Sequence, residues 1–369
     1  MNSCTQMLVL CRPGFEPETA REYTAHAAQL GVAGQSRFQE RTGWALFIPE
    51  KSEQIEHLVQ HLSVQRLIFA RHVLAVDDGT PSLPPGDRLV PLQQRLDVLA
   101  SQVGSFSVLW LSHSDSESGR ALAPLCRALQ GRLDQYLADK GLLNQEAQGV
   151  RAEVVWISGS AAWVGYSHPA SGARWPMGIP RVRRPVGSPS RAALKLEEAW
   201  MIMLTPSARQ QLLAPGRTAV DLGAAPGGWS RMLLQDGLSV VAVDRADLAL
   251  ELRNSPRLHH VRVDGFRFRP ERCVDWLLCD MVEQPRRIAS LVSHWALSGW
   301  CHNALFNLKL PMKKRYTELE ICRNLLQQPL VDAKRFFHLT IRHLYHDREE
   351  VTGLLQLFDH PGKRNGKPR

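Results

Sequence analysis

Short apolar runs alternate with helical or loop segments along the second half of the chain, which predicts an α/β region with a largely parallel sheet. Four of these runs each end in an aspartate. They are Ala219–Val220, Leu238–Val243, His260–Val263 and Trp276–Cys279, followed by Asp221, Asp244, Asp264 and Asp280. Ligands of such sheets bind beyond the carboxyl ends of the strands. The pattern therefore predicts a row of acids beside a ligand, along one edge of a doubly wound, Rossmann-like sheet.

Three further apolar runs are expected to complete this sheet. Ala304–Leu308 ends at Lys309. The runs 334–344 and 351–358 predict a terminal pair of strands, with Glu350 opening the last one.

A helix is predicted at Ser188–Met203, ahead of the sheet, with Ser188 or Ser190 as its cap and Pro189 in its first turn. Apolar residues recur in it at helical spacing. Lys195 lies within this stripe rather than opposite it, so its side chain is predicted near the buried face.

The first half of the chain has a different pattern, which predicts an α+β region. Strands are expected at 8–11, 44–48, 73–76, 107–111 and 154–158, with helices ending at about Leu30 and spanning about 122–138. A segment rich in Pro, Gly, Ser and Arg then predicts a linker. The predicted domains are an α+β region at 1–170, a linker at 171–187, an α/β domain at 188–360 and a basic tail at 361–369.

Length and composition agree with two domains of a soluble globular protein. The chain has 369 residues, 44% hydrophobic and 22% charged. It has neither an apolar stretch of membrane-spanning length nor a basic-then-apolar leader. Seven cysteines without metal-site spacing predict reduced, mostly buried thiols and no metal site. A cytoplasmic protein without membrane attachment is expected.

The net charge of +9 lies almost entirely in the second half. Residues 1–175 hold 15 Lys+Arg and 17 Asp+Glu, whereas 176–369 hold 30 and 19. The basic clusters are Arg181-Arg183-Arg184, Arg286-Arg287, Lys313-Lys314-Arg315 and the tail. A basic rim on the half with the predicted ligand site indicates a nucleic-acid substrate.

The turn DLGAAPGGWS at Asp221–Ser230 is the strongest candidate for a cofactor site. Glycines between a strand and a helix let the backbone approach a ligand, and the helix offers unpaired N–H groups. The spacing matches neither the dinucleotide fingerprint nor a phosphate loop. It favours S-adenosylmethionine over NAD or ATP. Asp244, 21 residues after Gly223, has the spacing of a ribose contact, and Asp264 is placed to accept from the adenine amino group.

Two segments, Ser190–Glu198 and Asp221–Trp229, resemble the signature of the FtsJ-like ribose 2′-O-methyltransferases. Ala225 departs from the family, in which cysteine is common there, but the backbone makes the contacts. The resemblance implies a Lys-Asp-Lys-Glu tetrad at Lys195, Asp280, Lys309 and Glu350, with Glu349 as an alternative for the last position. It also places Ser190 near the methionine end of the cofactor. The predicted cofactor contacts are Ser190, Gly223, Ala224, Ala225, Pro226, Gly227, Gly228, Trp229, Asp244, Asp264 and Asp280.

The segments 279–283, 306–316 and 344–351 narrow the resemblance to a bacterial branch of that family. Its members methylate the 2′-hydroxyl of one cytidine in the peptidyl-transferase loop of 23S ribosomal RNA. The first half of the chain resembles a ferredoxin-like entry followed by a THUMP RNA-binding module. The resemblance thus implies S-adenosylmethionine as cofactor and 23S ribosomal RNA, naked or in a precursor particle, as partner of a monomer.

In the implied mechanism Lys309 removes the proton of the 2′-hydroxyl and Lys195 steadies the oxygen, while Asp280 and Glu350 orient both ammonium groups. Two other functions stay open. A base-modifying methyltransferase would need an Asn/Asp-Pro-Pro-aromatic turn after the fourth strand or a nucleophilic cysteine, and Cys279 is expected to point into the sheet. An inactive RNA-binding or assembly factor on the same fold is the other, against which the complete tetrad argues.

Overall fold

The computed structural model describes residues 4–79, 83–144, 149–183, 190 and 192–359. The chain forms two compact units, Met1–Pro180 and Arg181–Arg369. Four predicted features lie outside the described residues: the possible cap Ser188, the first-turn Pro189, Arg184 and the basic tail. Within the described part, no helix is both long and apolar enough to cross a membrane. All cysteines except Cys273 are buried, which confirms the prediction for the thiols.

The N-terminal unit contains a seven-stranded sheet in the order β2-β3-β1-β4-β7-β6-β5. Its first part has the β-α-β-β-α-β order of a ferredoxin-like fold. The strands are β1 (Gln6–Cys11), β2 (Gly34–Phe38), β3 (Trp44–Pro49), β4 (Ala70–Val76), β5 (Leu109–His113), β6 (Arg151–Ser158) and β7 (Ala161–Ser167). The helices are α1 (Glu16–Gln29), α2 (Ile55–His61), α3 (Leu89–Val103), α4 (Glu117–Arg120) and α5 (Ala123–Asp139).

Burial explains which of these elements the sequence predicted. All residues of β1 and β4 are buried, because both strands lie inside the sheet and have both faces covered. Their apolar residues therefore predicted strands at 8–11 and 73–76. The edge strand β2 has the sequence GQSRF and is mostly exposed, so it has no apolar signal. The sequence analysis missed this strand, and it also missed β7, α2 and α3.

The C-terminal unit contains a second seven-stranded sheet, in the order β10-β9-β8-β11-β12-β14-β13. The first five strands in this order are parallel to one another, whereas β14 pairs antiparallel with both β12 and β13. This confirms the predicted sheet and its terminal strand pair. The strands are β8 (Thr218–Leu222), β9 (Ser239–Val243), β10 (Leu258–Val261), β11 (Val274–Cys279), β12 (Cys301–Lys309), β13 (Phe336–Arg342) and β14 (Glu350–Phe358). The helices are α6 (Ala192–Met203), α7 (Pro206–Leu212), α8 (Gly228–Gln235), α9 (Leu250–Arg253), α10 (Pro285–Leu297) and α11 (Arg315–Asp332).

The four predicted acids do not lie in one register at the sheet edge. Asp244 and Asp280 directly follow β9 and β11, as expected. Asp221 lies within β8, where it is buried. The strand β10 ends at Val261, two residues earlier than predicted, because the chain beyond it is exposed; Asp264 is therefore three residues past the strand.

Helix α6 covers one face of this sheet and carries Lys195. Leu196 and Ala199 are fully buried in the core of the unit. The ring of Trp200 packs edge-on against Trp276 of β11, with ring centroids 4.8 Å apart. This packing holds α6 over the sheet with the side chain of Lys195 only 18% exposed, which confirms that it lies near the buried face.

Candidate active site

The glycine-rich turn joins β8 to α8 at the carboxyl edge of the sheet. Gly223 has a φ of +76°, and a Cβ on it would lie 2.7 Å from Cγ of Met281. A Cβ on Gly228 would lie 2.2 Å from Oγ of Ser190. The turn therefore presents bare backbone where a side chain could not fit.

A cavity of about 540 Å³ opens at this turn. This volume is in the range of small-molecule and cofactor sites. The cavity brings together most of the predicted site residues: Ser190, Lys195, Gly223, Ala224, Ala225, Pro226, Gly228, Trp229, Asp280, Lys309 and Glu350. Asp221, Val282, Arg348 and Glu349 also line it. Val282 and Arg348 belong to segments that carry the resemblance, but neither was predicted as a site residue.

Gly227, Asp244 and Asp264 are not among the described residues that line the cavity. Gly227 packs away from it, since a Cβ there would lie 2.2 Å from Cδ1 of Leu252. Asp244 supports the turn by accepting the backbone N–H of Ala225 at 3.0 Å. Asp264 instead forms an exposed ion pair with Arg245 at 3.0 Å and lines a separate depression. Its predicted place beside the adenine therefore stays a prediction.

Two buried side chains fix α6 against the site. Nε1 of Trp229 donates to the carbonyl oxygen of Ala192 at 2.8 Å, which ties the helix to the glycine-rich turn. The carboxylate of Glu198 accepts the backbone N–H groups of Tyr345 and His346 at 2.7 and 2.9 Å. The second contact fixes the loop that leads into β14. The sequence analysis missed this role of Glu198, although its position one turn after Lys195 places it on the same side of the helix.

Lys195 is the centre of the charge cluster. Its Nζ contacts Oε1 of Glu350 and lies 3.7 Å from Oδ1 of Asp280. Burial disfavours the ammonium form, but the two carboxylates outweigh burial and raise the pKa of Lys195 above its ordinary value. Lys195 therefore stays charged at neutral pH.

Lys309 has a different environment, although it lines the same cavity. It closes β12 directly opposite Glu350 in the register of β12 and β14. Among the described residues, neither Glu350 nor Asp280 forms an ion pair with it, although the charge of Lys309 contributes to lowering the pKa of Asp280 against burial. That the two acids orient both ammonium groups stays a prediction. Both acids bind Lys195 instead, because α6 brings its ammonium between them.

The geometry favours Glu350 over Glu349 as the fourth member of the cluster. Glu350 is buried and contacts Lys195. The side chain of Glu349 is 52% exposed and forms an ion pair with Arg315 at 2.7 Å. Glu349 lies in the bend before β14 and its side chain pairs with Arg315, so only Glu350 contacts Lys195.

Burial raises the pKa of two aspartates that line the cavity. The pKa of Asp221 is raised to about 7, chiefly by burial and against the hydrogen bond that Ser230 donates to it at 2.7 Å. Burial also raises the pKa of Asp280, while Lys195 and the amide of Asn307, which donates at 2.8 Å, oppose this. Carboxylates beside a bare backbone turn suit a ligand with positive charge.

The cavity fits S-adenosylmethionine better than a nucleotide phosphate. The turn at Gly223 and Gly228 leaves room for a ligand against the backbone, and the acceptors Asp221 and Ser190 lie beside it. Among the described residues, no group of three or more His, Cys, Asp or Glu side chains is arranged to hold a metal ion. A site of this kind, opening onto two lysines, defines the class of S-adenosylmethionine-dependent methyltransferases of the FtsJ-like type.

Comparisons with known proteins agree with that class. The FtsJ-like methyltransferase family matches residues 189–325, and the RlmM ferredoxin-like domain matches residues 4–74. Ribosomal RNA large subunit methyltransferase M of Xanthomonas axonopodis pv. citri is 41% identical over 94% of this chain and 98% of its own length. The protein of that name from Methylococcus capsulatus is 42% identical over 97% of this chain and 99% of its own. The chain belongs to the family of ribosomal RNA large subunit methyltransferase M, as its motifs predicted.

Among solved structures, TrmN from Thermus thermophilus aligns with 96% of this chain and 99% of its own at 16% identity, with a TM-score of 0.36. A TM-score this low does not establish a common fold. The family membership makes this protein an enzyme with S-adenosylmethionine as its cofactor. The residues 4–74 of the ferredoxin-like match cover only the first part of the N-terminal unit. The THUMP interpretation of the remainder stays a prediction.

Proposed function

We propose that this protein transfers a methyl group to the ribose 2′-hydroxyl of a cytidine in the peptidyl-transferase loop of 23S ribosomal RNA. The substrate class rests on the names of its relatives. One observation favours ribose chemistry: the cofactor cavity contains one lysine paired with two carboxylates and a second lysine that neither of them binds. We place the reaction in the cytoplasm and the enzyme as a monomer acting on naked RNA or a precursor particle.

Lys309 and Lys195 have different roles in the proposed reaction. Bound S-adenosylmethionine supplies an electrophilic methyl group on a sulfonium, which is a good leaving group. Nζ of Lys309, when neutral, accepts the proton of the 2′-hydroxyl as the ribose oxygen attacks. Lys195 stays positively charged, because Asp280 and Glu350 hold it so, and it stabilises the negative charge that develops on the oxygen.

A basic, aromatic groove on the same unit supports an RNA substrate. The guanidinium of Arg287 lies over the ring of Phe266 at 4.5 Å, and that of Arg269 lies over Trp300 at 5.0 Å. Arg269, Arg286, Arg287 and His294 line this depression, which has a volume of about 380 Å³. Arg287 lies in the first turn of α10, which begins at the carboxyl edge of the sheet that also carries Asp280. Arginines held by stacking are suited to RNA phosphates.

Base modification is less well supported. A nucleophilic cysteine must be accessible and ionisable, but Cys279 is fully buried and burial raises its pKa to about 12. The residues after β11 are Asp280-Met281-Val282, without the prolines and aromatic residue of an amino-group enzyme.

Methylation of a deproteinised 23S RNA fragment tests the proposal. The fragment carries tritium label only from S-adenosylmethionine, and the matched control has a single 2′-deoxycytidine at the mapped position. We expect one methyl group per fragment, on a cytidine ribose, and none on the control. A methylated base, or equal labelling of the deoxy control, would overturn the ribose assignment. Methylation only of a precursor particle would identify the particle, and not naked RNA, as the substrate form.

A further inference from the structure

A chain of buried polar side chains continues from Asp280 into the sheet. Nδ2 of Asn307 donates to Oδ1 of Asp280 at 2.8 Å. Oδ1 of Asn307 lies 2.9 Å from Oγ1 of Thr352, and that hydroxyl lies 3.1 Å from Oδ2 and 3.2 Å from Oδ1 of Asp347. Asn307 and Thr352 are 1% exposed, and Asp347 is 0% exposed. These three side chains are not part of the tetrad.

The protons of this chain have one consistent arrangement. The amide oxygen of Asn307 can only accept, so the single proton of Thr352 belongs to that contact. The proton between Thr352 and Asp347 must then come from Asp347, which is therefore a neutral carboxylic acid. The backbone N–H of Leu344 donates to Oδ2 of Asp347 at 3.0 Å, which leaves Oδ1 to carry the proton. The reversed amide of Asn307 would place its oxygen against the carboxylate of Asp280.

The surroundings of Asp347 agree with a neutral acid. Burial raises the pKa of Asp347 well above its ordinary value, and the nearby carboxylates of Glu350 and Glu198 raise it further. Only Leu344 and Lys195 act in the opposite direction. A charged Asp347 would add a third negative charge beside the two carboxylates that hold Lys195.

A second polar pair on the same two strands shows that this chain is specific to the active site. Asn303 and Gln356 are cross-strand partners, four residues from Asn307 and Thr352 along β12 and β14. They are buried and joined by a hydrogen bond of 3.4 Å. Asn303, however, donates to the backbone carbonyl of Asp275, far along β11 from the cavity. The sheet thus offers a matched control of equal burial.

We infer that Asn307, Thr352 and Asp347 are positioning residues that hold Asp280 ionised and correctly oriented toward Lys195, through a chain of donors that begins at a neutral Asp347. This inference rests on the proposed function. The amide of Asn307 stabilises the charged form of Asp280, and Asp280 in turn keeps Lys195 charged. The chain acts on turnover without contact to either substrate.

Single-turnover methylation with saturating RNA and S-adenosylmethionine tests the inference, first in three variants. Thr352→Val removes the hydroxyl at nearly constant volume and is expected to slow turnover about tenfold, the equivalent of one buried hydrogen bond. The dissociation constant of S-adenosylmethionine and the KM for RNA should stay within about twofold of wild type. Thr352→Ser should restore most of the rate. Gln356→Leu, the matched control, should turn over like wild type.

Asp347 is tested by a pair of variants. Asp347→Asn keeps a neutral donor and should retain far more turnover than Asp347→Leu, which has no polar group. Melting temperatures of all variants identify any that fail to fold, and Asn307→Leu then replaces Thr352→Val as the break in the chain.

The outcomes separate this inference from the proposed function. No ribose methylation by wild-type enzyme would refute the function itself. Active wild type with equally active Thr352→Val and Asn307→Leu would refute the positioning chain alone, as would an equal loss in Gln356→Leu. Equal rates for Asp347→Asn and Asp347→Leu would refute the neutral donor.

Discussion

Lys309 and Glu350 are direct cross-strand partners at the rim of the sheet, yet the carboxylate of Glu350 contacts Lys195. The two lysines of one cavity therefore have different charge environments. Lys195 is held as an ammonium by two carboxylates, whereas neither carboxylate of the cluster forms an ion pair with Lys309 among the described residues. This difference is the reason why Lys309 is the proposed base.

The assignment predicts that Lys309→Arg is as inactive as Lys309→Ala. Arginine keeps the positive charge but cannot release its proton at usable pH. Both variants should lose at least about a thousandfold in rate, within the range that a general base supplies. Calorimetry with S-adenosylmethionine should show unchanged affinity, and an active Lys309→Arg enzyme would contradict the base role.

Asp221 predicts a pH-dependent stability. Its pKa is raised from 3.8 to about 7 in the folded protein, so its favourable contribution is complete below pH 4 and is lost as pH rises to 7. At about 1.4 kcal/mol per pKa unit, the loss is on the order of 4 kcal/mol. Asp221→Asn can still accept from Ser230 and has no charge. Thermal unfolding without cofactor should show that the free energy of unfolding of the variant, relative to wild type, increases from pH 5 to 7 and is constant above pH 7. A difference that does not change with pH would show that Asp221 does not titrate in this range.

The glycine-rich turn can be tested with two glycines of equal backbone conformation. Gly223 and Gly216 have φ values of +76° and +87°, so alanine is strained at both, by about 1–2 kcal/mol. Only at Gly223 would the added Cβ approach another atom, Cγ of Met281 at 2.7 Å. Gly223→Ala should therefore weaken S-adenosylmethionine binding by roughly tenfold or more, which is about 1.4 kcal/mol, whereas Gly216→Ala should not. Equal affinities would place the cofactor away from this turn.

Asp244 and Asp264 are expected to differ, although the sequence predicted both as cofactor contacts. Asp244→Ala removes the acceptor for the backbone N–H of Ala225 and should weaken S-adenosylmethionine binding. Asp264→Ala removes a surface ion pair with Arg245 and the acceptor for the backbone N–H of Phe266, both outside the cavity; surface ion pairs contribute little. Titration calorimetry should find wild-type affinity for the second variant. A loss in Asp264→Ala as large as in Asp244→Ala would return Asp264 to the site.

The basic segment after β12 predicts a salt-dependent RNA grip. Lys313 and Lys314 are exposed, whereas Arg315 is 14% exposed and pairs with Glu349. Replacing both lysines with alanine should lower the slope of log affinity against log salt by about 2. The matched control is Lys334→Ala with Arg335→Ala at the other end of α11, where Lys334 shares the left-handed φ of Lys314. An equal change of this slope in the control variant would indicate that only the net charge matters, and not the position of Lys313 and Lys314.

The sequence predicted an element correctly where a single hydrophobic periodicity determined its structure. Apolar runs predicted the strands that end at Lys309 and begin at Glu350, and helical spacing placed Lys195 near the core. Spacing along a chain does not measure distances across it, so it could not show that Lys195 takes both carboxylates. The segment containing Asp347 reads as a run of charged residues, typical of a solvated loop, yet Asp347 is fully buried. The period-2 rule could have found Asn307 and Thr352, two residues from Lys309 and Glu350 on the same faces.

The place of β14 in the sheet has a consequence for the synthesis of the protein. Residues 350–358 pair on both sides, with β12 and with β13, and they also deliver Glu350 to Lys195. In a nascent chain that still lacks these residues, one edge of β12 is unpaired, and unpaired apolar strand edges promote aggregation. Such a chain also lacks an acid of its active site. The cover of β12 and the carboxylate that contacts Lys195 are therefore supplied by one and the same strand.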